Sequence, residues 1–310
     1  MLRKLVKIFA PATIANLGSG FDVLGIAINQ PGDIVTASRT AKSGVSFTLK
    51  TKHRDVPADQ KNVAAYVSQL MIDEFKPAFG IALTLNKRMP VGSGLGSSAA
   101  SSVAAVAAIN ELLPRPLPKR DLLRFAVEGE RFVTGAGHAD NVAPSLLGGA
   151  QLIRSYDPLD VVSLPLRNEI SWVVVCPQLV VRTHDAREAL PKEVPLNSAI
   201  RQWGNLGGLV AGLARGDAEL VGKCTEDVLI EPYRAKLVPG FQEVKQAALA
   251  AGAHGCTLSG SGPSMFAVAS STKSARKIAL AMTKTFATVV KVKSQVFISD
   301  INMRGAMKLS

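Results

Sequence analysis

A glycine- and serine-rich segment, Pro90–Ser101, constrains this chain more than any other part of its sequence. It follows the strand-like alternation of Ile81–Leu85 and runs into an alanine-rich stretch that ends at Pro114, so we predict a loop that leads into a helix. Because glycine tolerates positive φ, consecutive N–H groups of such a loop can point at one anion, and the helix dipole adds positive potential. This geometry suits a triphosphate. The alternating glycines are Gly92, Gly94 and Gly96.

Two other nucleotide-binding patterns do not fit this segment. Gly94–Ala99 formally satisfies the GxGxxA pattern of dinucleotide-binding folds, but the preceding strand carries polar Thr84 and Asn86 and is not predicted to be buried on both faces. The P-loop pattern GxxxxGK[ST] does not occur in the sequence. Ser97 and Ser98 can cap the helix, and a serine hydroxyl here can also reach a Mg²⁺ that bridges the phosphates.

Composition and charge narrow the class of protein. The chain has 310 residues, of which 47% are hydrophobic, enough for one large domain or two ordinary domains with real cores. Without an apolar run of roughly 18 residues or a signal-peptide pattern, we expect a cytosolic protein. The net charge of +12 favours polyanionic partners, but aromatic residues make up only 5% and are not interleaved with the cations, so we expect no nucleic-acid partner. The three cysteines show neither disulfide nor zinc-site spacing.

The hydrophobic pattern predicts two α+β domains, residues 1–166 and 167–310. The first half mixes both kinds of element. Its predicted strands are Leu5–Phe9, Val45–Leu49 and Ile81–Leu85, and its predicted helices are Ser98–Leu113 and Asp121–Val133. The second half opens with a β-branched run. Its predicted strands are Trp172–Cys176, Gly255–Leu258, Met265–Ala269 and Val290–Ile298, and its predicted helices are Trp203–Leu213, Phe241–Ala251 and Lys273–Phe286.

The glycine loop matches a known family signature. It resembles motif 2 of the GHMP kinases, which are named after galactokinase, homoserine kinase, mevalonate kinase and phosphomevalonate kinase. Ala10–Gly25 is similar to motif 1 in its homoserine kinase form, and Leu258–Ser264 is similar to motif 3. Arg182–Arg187 and Glu231–Arg234 also fit that branch. The resemblance therefore spans nearly the whole chain.

The resemblance implies a fold, a reaction and an assembly. Residues 1–166 are expected to form a nucleotide-binding domain like ribosomal protein S5, and residues 167–310 a ferredoxin-like domain, with the active site between them. ATP and Mg²⁺ are the implied cofactors, phosphorylation of L-homoserine in threonine biosynthesis is the implied reaction, and a homodimer is common in the family. Ile14 and Ser19 stand where the family pattern has serine and proline, which leaves the shape of the motif 1 loop open.

The resemblance also implies a nucleotide site. Its residues are Pro90, Val91, Gly92, Ser93, Gly94, Leu95, Gly96, Ser97, Ser98, Ala99 and Ala100 in the loop, with Asn62, Lys87, Gly260 and Ser261 elsewhere. Outside the loop, each of these residues has an ordinary structural alternative. A lysine at a strand end, an asparagine at a helix start and a glycine in a tight turn are common choices.

Glu130 is the candidate metal ligand, together with Ser98. Glu130 lies on a predicted helix face that is otherwise apolar, and a buried carboxylate needs a partner. The face carries Leu122, Leu123, Ala126, Val127 and Val133. A salt-bridged core glutamate is the alternative, whereas the resemblance favours Mg²⁺ ligation.

An amino-acid acceptor calls for cations at its carboxylate and for oxygen ligands at its ammonium group. Arg187 and Arg234 can offer planar forks to a carboxylate, although a solvated surface charge is the ordinary role of an arginine. Asn16 and Asp22 of the motif 1 loop are the implied ligands at the other end, with turn formation as the alternative. His138 is implied as a further homoserine contact, although a lone histidine is more often structural.

The sequence does not single out one catalytic base. Asp140 and Asn141 lie where several GHMP kinases place a catalytic aspartate, and either position can match it. A loose, metaphosphate-like transition state demands little activation of the nucleophile, so our hypothesis is direct in-line transfer. Two other functions stay open: a kinase for another alcohol such as mevalonate, shikimate or a sugar, and a non-catalytic ligand sensor with the same fold.

Overall fold

The structure is a computed structural model that describes residues 4–53, 55–181 and 183–310. Arg182, which begins one of the family-like segments, lies outside the described residues. Strands and helices are mixed through the first half of the chain. In order they are β1 (Leu5–Ala15), β2 (Leu24–Thr40), β3 (Val45–Thr51), α1 (Val63–Phe75), β4 (Gly80–Lys87), α2 (Ser97–Leu112), α3 (Leu123–Thr134), α4 (Ala139–Leu147), β5 (Ala150–Tyr156) and β6 (Leu159–Ser163).

The second half opens with a fully buried strand. Its elements are β7 (Ser171–Pro177), α5 (Thr183–Glu188), α6 (Leu196–Arg215), α7 (Ala218–Cys224), α8 (Glu231–Arg234), α9 (Phe241–Ala250), β8 (Gly255–Leu258), β9 (Met265–Ala269), α10 (Thr272–Thr285), β10 (Ser294–Ser299) and β11 (Met307–Lys308). Within the described part of the chain, no helix is long and apolar enough to cross a membrane.

A mixed sheet organises the first half. Its strand order is β11-β1-β2-β4-β3, and β5 pairs both with the start of β2 and with β6. Neighbouring strands run antiparallel except β3, which is parallel to β4. Helix α2 packs on β1 and β2 and also contacts α1, α3 and α4. Its alanines let these neighbours approach closely, so the helix is buried almost all round and holds the glycine loop against a packed core.

The second sheet is antiparallel, with the order β10-β7-β9-β8. Alternate residues of β7 point to opposite faces, as in any strand. Trp172 and Val174 belong to the hydrophobic cluster that also contains the first sheet, whereas Val173 and Val175 belong to a second cluster with residues of α9 and α10. The second sheet therefore separates a core that it shares with the first sheet from a core of its own.

The end of the chain returns to the first sheet. β11 pairs antiparallel with β1, and Ile301 forms a bridge with Ile28 on β2. Asn168 holds this crossing from the start of the second half, because its amide bonds both the N–H and the C=O of Ile301. The predicted division at residue 166 stays a prediction, since the last residues of the chain pack with the first half.

Most predicted elements are present, with instructive differences. β8 and β9 have the predicted bounds. The closing strand begins at Ser294 and not at Val290, because the chain forms a π-helical turn over Phe286–Val290 that ends at Lys291 with a φ of 64°. Val133 is half exposed and does not share the buried face of Glu130. The long strand β2 was not predicted, because its glycines and Pro31 interrupt the strand pattern.

Candidate active site

The glycine loop has the backbone conformation that its sequence predicts. Gly92, Gly94 and Gly96 have φ values of 63°, 78° and 67°. Gly96 is the cap residue of α2, and no side chain caps that helix. The expectation that Ser97 and Ser98 cap it is therefore wrong, because both lie inside the first turn. The N–H groups at the start of α2 remain free of side-chain acceptors, as an anion-binding helix end requires.

A buried ionic cluster fixes both ends of this loop. The Asp33 carboxylate on β2 accepts hydrogen bonds from the backbone N–H groups of Arg88 and Met89, at 2.9 and 3.0 Å, on the upstream side. It also accepts from the Ser101 hydroxyl, at 2.7 Å, and from the Lys87 ammonium. Lys87 donates in addition to the Ser97 carbonyl and to Ser101. Each hydrogen of the Lys87 ammonium thus has a protein acceptor.

The turn between β8 and β9 closes on the loop from the second sheet. The Ser259 hydroxyl donates to the Gly94 carbonyl at 2.8 Å, and the Ser264 N–H donates to the Ser93 carbonyl at 3.1 Å. The Gly260 N–H also reaches the Ala15 carbonyl, at 3.2 Å, where β1 ends. The three motif-like segments therefore meet, although they are far apart in the sequence.

Glu130 lies on α3 with its carboxyl group buried. Its Oε1 has no hydrogen-bond partner among the described residues, which is costly for a buried oxygen. Burial raises the pKa of Glu130 to about 7, against the opposing effects of a hydrogen bond with Ser98 and of the Lys87 charge. No cluster of metal-ligating His, Cys, Asp or Glu side chains occurs in the described ranges. Glu130 and Ser98 are thus a small oxygen-donor pair that an arriving cation could complete.

The turn that joins β1 to β2 carries the predicted acceptor ligands Asn16 and Asp22. Both have positive φ values, 71° and 59°, which asparagine and aspartate tolerate better than most residues. Asn16 Oδ1 accepts from the Asp22 N–H at 3.0 Å, and Asn16 Nδ2 donates to the Gly260 carbonyl at 3.1 Å. This side of the site is therefore tied to the closing turn.

Two arginines face this turn. Arg187 Nη1 donates to Asp22 Oδ2 at 2.7 Å, and the other end of its fork contacts His138 Nε2. Arg234 donates to the carbonyls of Ala186 and Gly260, both at 3.2 Å. A guanidinium can only donate, so the His138 ring nitrogen is the acceptor in this contact. Burial lowers the pKa of His138, and both arginines add to this effect against the opposing charge of Asp22.

Asp140 and Asn141 lie at the start of α4. Burial raises the pKa of Asp140 to about 7, and the nearby carboxylates of Asp22 and Glu130 act in the same direction. Asn141 Oδ1 accepts from the Thr13 hydroxyl at 2.6 Å. The same amide oxygen would lie only 2.7 Å from a Cβ atom at Gly96, so Asn141 lies against the loop itself.

The other predicted nucleotide residues fall into two groups. Asn62 caps α1: its side chain accepts from the Ala64 N–H and donates to the Pro57 carbonyl. The remaining residues belong to the loop or to the closing turn, and they differ in how far their side chains are exposed. Pro90 and Ser261 are partly exposed, Val91 is exposed, and Leu95, Ala99 and Ala100 have buried side chains.

Comparison with known proteins gives this arrangement a family. The family model for the GHMP kinases N terminal domain matches residues 62–149, and that for the GHMP kinases C terminal matches residues 209–288. The chain is 46% identical to the homoserine kinase of Chlorobium phaeovibrioides, an alignment that covers 98% of this chain and 99% of that protein. The chain belongs to the GHMP kinase family.

Solved structures agree with the family. The homoserine kinase from Cytophaga hutchinsonii has 47% sequence identity and a TM-score of 0.95, with 100% of this chain and 98% of that chain covered. The L. major mevalonate kinase has a TM-score of 0.74 at 16% identity, with 98% of this chain and 99% of that chain covered, so it shares the fold alone. The predicted family and the predicted two-domain GHMP kinase fold are confirmed.

This GHMP kinase site also contains residues that the sequence analysis did not single out. Phe21 lies beneath both arginines, with its ring centre 5.4 Å from the Arg187 guanidinium carbon and 4.8 Å from that of Arg234. The Tyr156 hydroxyl donates to the Asp22 carbonyl at 2.6 Å. Phe21 stands inside the motif 1 segment and could have been suspected, whereas Tyr156 and Asp33 carry no local sequence signal.

Proposed function

We propose that this GHMP kinase transfers the γ-phosphoryl group of ATP to the side-chain hydroxyl of L-homoserine, giving O-phospho-L-homoserine. The observation that carries the proposal is the cluster of Asp22, Arg187 and Arg234 next to the glycine loop. It offers one carboxylate and two guanidinium groups, which complement the ammonium and carboxylate of a free amino acid. The high identity to homoserine kinases over the whole chain supports the same acceptor.

Mg²⁺ fits the residues beside the loop, and we propose Glu130 and Ser98 as its protein ligands. The unpartnered Oε1 of Glu130 is the observation that supports this. Mg²⁺ in nucleotide sites commonly takes one or two carboxylates in addition to phosphate oxygens and water. When bound, it would neutralise part of the charge on the triphosphate.

The reaction is direct in-line transfer, with the protein acting mainly by position and charge. The N–H groups from Gly92 to Ser98 surround the phosphates and stabilise the charge that develops on them. Asn16, Asp22 and His138 hold the amino-acid end of the acceptor, and Arg187 and Arg234 bind its carboxylate. Asp140 and Asn141 remain candidates for a group that accepts the hydroxyl proton.

A panel of acceptors tests the proposal. ADP release is measured with Mg-ATP and L-homoserine, mevalonate, shikimate or galactose at equal concentrations. Turnover with homoserine alone is expected. Turnover with a different alcohol and not with homoserine would contradict the proposed acceptor but not the kinase activity. No Mg-dependent turnover with any acceptor would favour a ligand sensor.

Three further proposals do not rest on a contact in this chain: the assembly follows from the family, and the location and the division follow from the sequence pattern. We propose a homodimer, which light scattering of the purified protein tests, and a cytoplasmic location. We also propose a division into residues 1–166 and 167–310. Asn62, Lys87 and Ser261 stay proposed nucleotide residues, with the ammonium of Lys87 acting through the loop that it anchors.

A further inference from the structure

The turn that carries Asn16 and Asp22 rests directly on the chain segment 224–228. Gly18 has a φ of 76°, and a Cβ atom there would lie 1.8 Å from the Thr225 carbonyl oxygen, so the two backbones are in contact. Next to this contact, the Ser19 hydroxyl donates to the Cys224 carbonyl at 2.7 Å. The ammonium side of the acceptor site is thus supported by the second half of the chain.

One buried amide joins the two segments. Gln202 lies on α6, and its Nε2 donates to the Ser19 carbonyl at 3.2 Å and to Asp227 Oδ1 at 2.8 Å. Its Oε1 accepts from the Val228 N–H at 3.0 Å. The side chain is surrounded by protein, with 6% of the residue exposed, and its donors and its acceptor are all used.

The same segment leads to the arginine side of the site. Asp227 accepts from the N–H groups of Leu229 and Ile230 through Oδ1, at 3.0 and 2.9 Å, and from that of Glu231 through Oδ2, at 3.0 Å. These bonds fix the start of α8, the short helix that ends at Arg234. Because α8 is a single turn, its direction depends on this start.

We infer that Gln202 is a positioning residue for the amino-acid acceptor, because its amide fixes the Asp22 turn and the Arg234 helix relative to each other. The inference deepens the proposed homoserine site and rests on it. Gln202 does not itself touch the acceptor; it acts through Ser19 and Asp227. The carboxylate and the ammonium of homoserine must be held at a fixed distance from each other. A change in the spacing of the turn and the helix therefore weakens homoserine binding more than ATP binding, because Asp33 anchors the ATP loop separately.

The test replaces Gln202 by methionine, which keeps the length of the side chain and removes its hydrogen bonds. The matched control is Asn110→Leu on α2. Asn110 has the same 6% exposure, and its amide likewise bonds backbone groups, the N–H and C=O of Leu117. Both variants leave buried backbone groups unpaired, so both lose stability. KM for homoserine, KM for ATP and kcat are measured for each.

The expected result for Gln202→Met is a rise of about tenfold in KM for homoserine, with KM for ATP within about twofold of wild type, while Asn110→Leu changes neither. Gln202→Asn is the second variant if methionine prevents folding, because it keeps an uncharged amide but draws it back by one methylene from Ser19, Asp227 and Val228. Equal shifts in both KM values, or none in a folded variant, would overturn the inference. A wild-type protein that does not phosphorylate homoserine would overturn the proposed function, and the acceptor-positioning role with it.

Discussion

Glu130 and Asp140 are both carboxyl groups buried in the protein. The pKa of each is raised to about 7, in both cases mainly by burial. Such groups are unfavourable when ionised in the ligand-free protein, because the interior does not replace the lost hydration. At Glu130 the proposed Mg²⁺ would offset this cost, whereas Asp140 is a candidate base that an amide variant tests.

Replacing Glu130 by glutamine is expected to stabilise the ligand-free protein at high pH. The raised pKa in the folded state means that the stability contributed by the protonated carboxyl is complete below about pH 4.5 and is lost as the pH rises to about 7. Above that pH the wild type bears a penalty of roughly 3 kcal/mol, which glutamine does not. Thermal unfolding should therefore give a variant Tm several degrees above wild type at pH 8.5, and a smaller difference at pH 5.

Glu128→Gln is the matched control for this experiment. Glu128 lies two residues away on the same helix, but it is exposed and pairs with Arg131. Its removal should leave Tm nearly unchanged at both pH values, since exposed pairs contribute little. A Tm of Glu130→Gln below that of wild type at pH 8.5 would mean that Glu130 is a paired core residue. It would then not be an unpaired carboxylate available to a metal ion. Mg-dependent turnover should fall strongly only in Glu130→Gln.

Asp140→Asn separates direct transfer from general-base catalysis. We expect kcat to fall only a few-fold, because a loose transition state demands little activation of the hydroxyl. General-base catalysis typically contributes about 10²- to 10⁴-fold, so a loss of that size would make Asp140 the base. The pH profile of kcat provides a second measurement: a base with a pKa of about 7 would cause activity to rise through neutral pH in wild type and not in the variant.

Arg187→Ala tests the carboxylate side of the acceptor site. Charged hydrogen bonds are worth about 1.5 to 3 kcal/mol, so we expect KM for homoserine to rise at least tenfold while KM for ATP changes little. Arg201→Ala is the control, because Arg201 is an exposed arginine that pairs with Glu226 at 2.7 Å. Steady-state kinetics with each substrate varied in turn measures both. An unchanged KM for homoserine in Arg187→Ala would remove Arg187 from the site.

At the scale of elements, the glycine loop was predictable and its anchoring was not. Alternating glycines next to an alanine-rich helix are enough to predict positive φ values and a backbone that can approach an anion closely. The observed φ values agree. Asn16, Asp22 and Arg234 were suggested only by family resemblance, because each is an ordinary turn or surface residue when considered alone. Asp33 could not be predicted at all, since its partners lie 54 to 68 residues away and meet it only after the sheet forms.

The contact between the loop and the closing turn yields an element-scale prediction. Gly94 has a φ of 78°, and a Cβ atom there would lie 2.3 Å from the Ser259 carbonyl oxygen, so Gly94→Ala must push the turn away. We expect KM for ATP to rise at least tenfold. Gly135→Ala is the control, because Gly135 has a φ of 77° but nothing within 4 Å of its Cβ position. Gly135→Ala has the same backbone strain as Gly94→Ala, about 1 to 2 kcal/mol, but creates no clash. Equal effects of both variants on KM for ATP would mean that the turn does not close the nucleotide site.

At the scale of the whole molecule, the two sheets do not have fully separate interiors. Trp172, Val174 and Phe266 on the second sheet lie in the same buried cluster as Ile14 and Leu24 at the motif 1 turn. The proposed acceptor site is built on this shared region, because the motif 1 turn, the two arginines and the closing turn come from both halves of the chain. A rigid common core keeps these distant residues in register without a bound ligand.

The shared core predicts that the ligand-free protein unfolds in one cooperative transition. The sequence contains two tryptophans, of which Trp172 is buried in the shared cluster and Trp203 is exposed. In a Trp203→Phe background, the fluorescence of Trp172 reports on the shared core, and circular dichroism reports on the helices of both halves. We expect the two denaturant curves to coincide. A fragment of residues 1–166 should show no cooperative transition, because it lacks both β11 and the apolar face of β7 that covers its core. A cooperative transition in that fragment, or separated curves in the intact chain, would show that the halves fold independently.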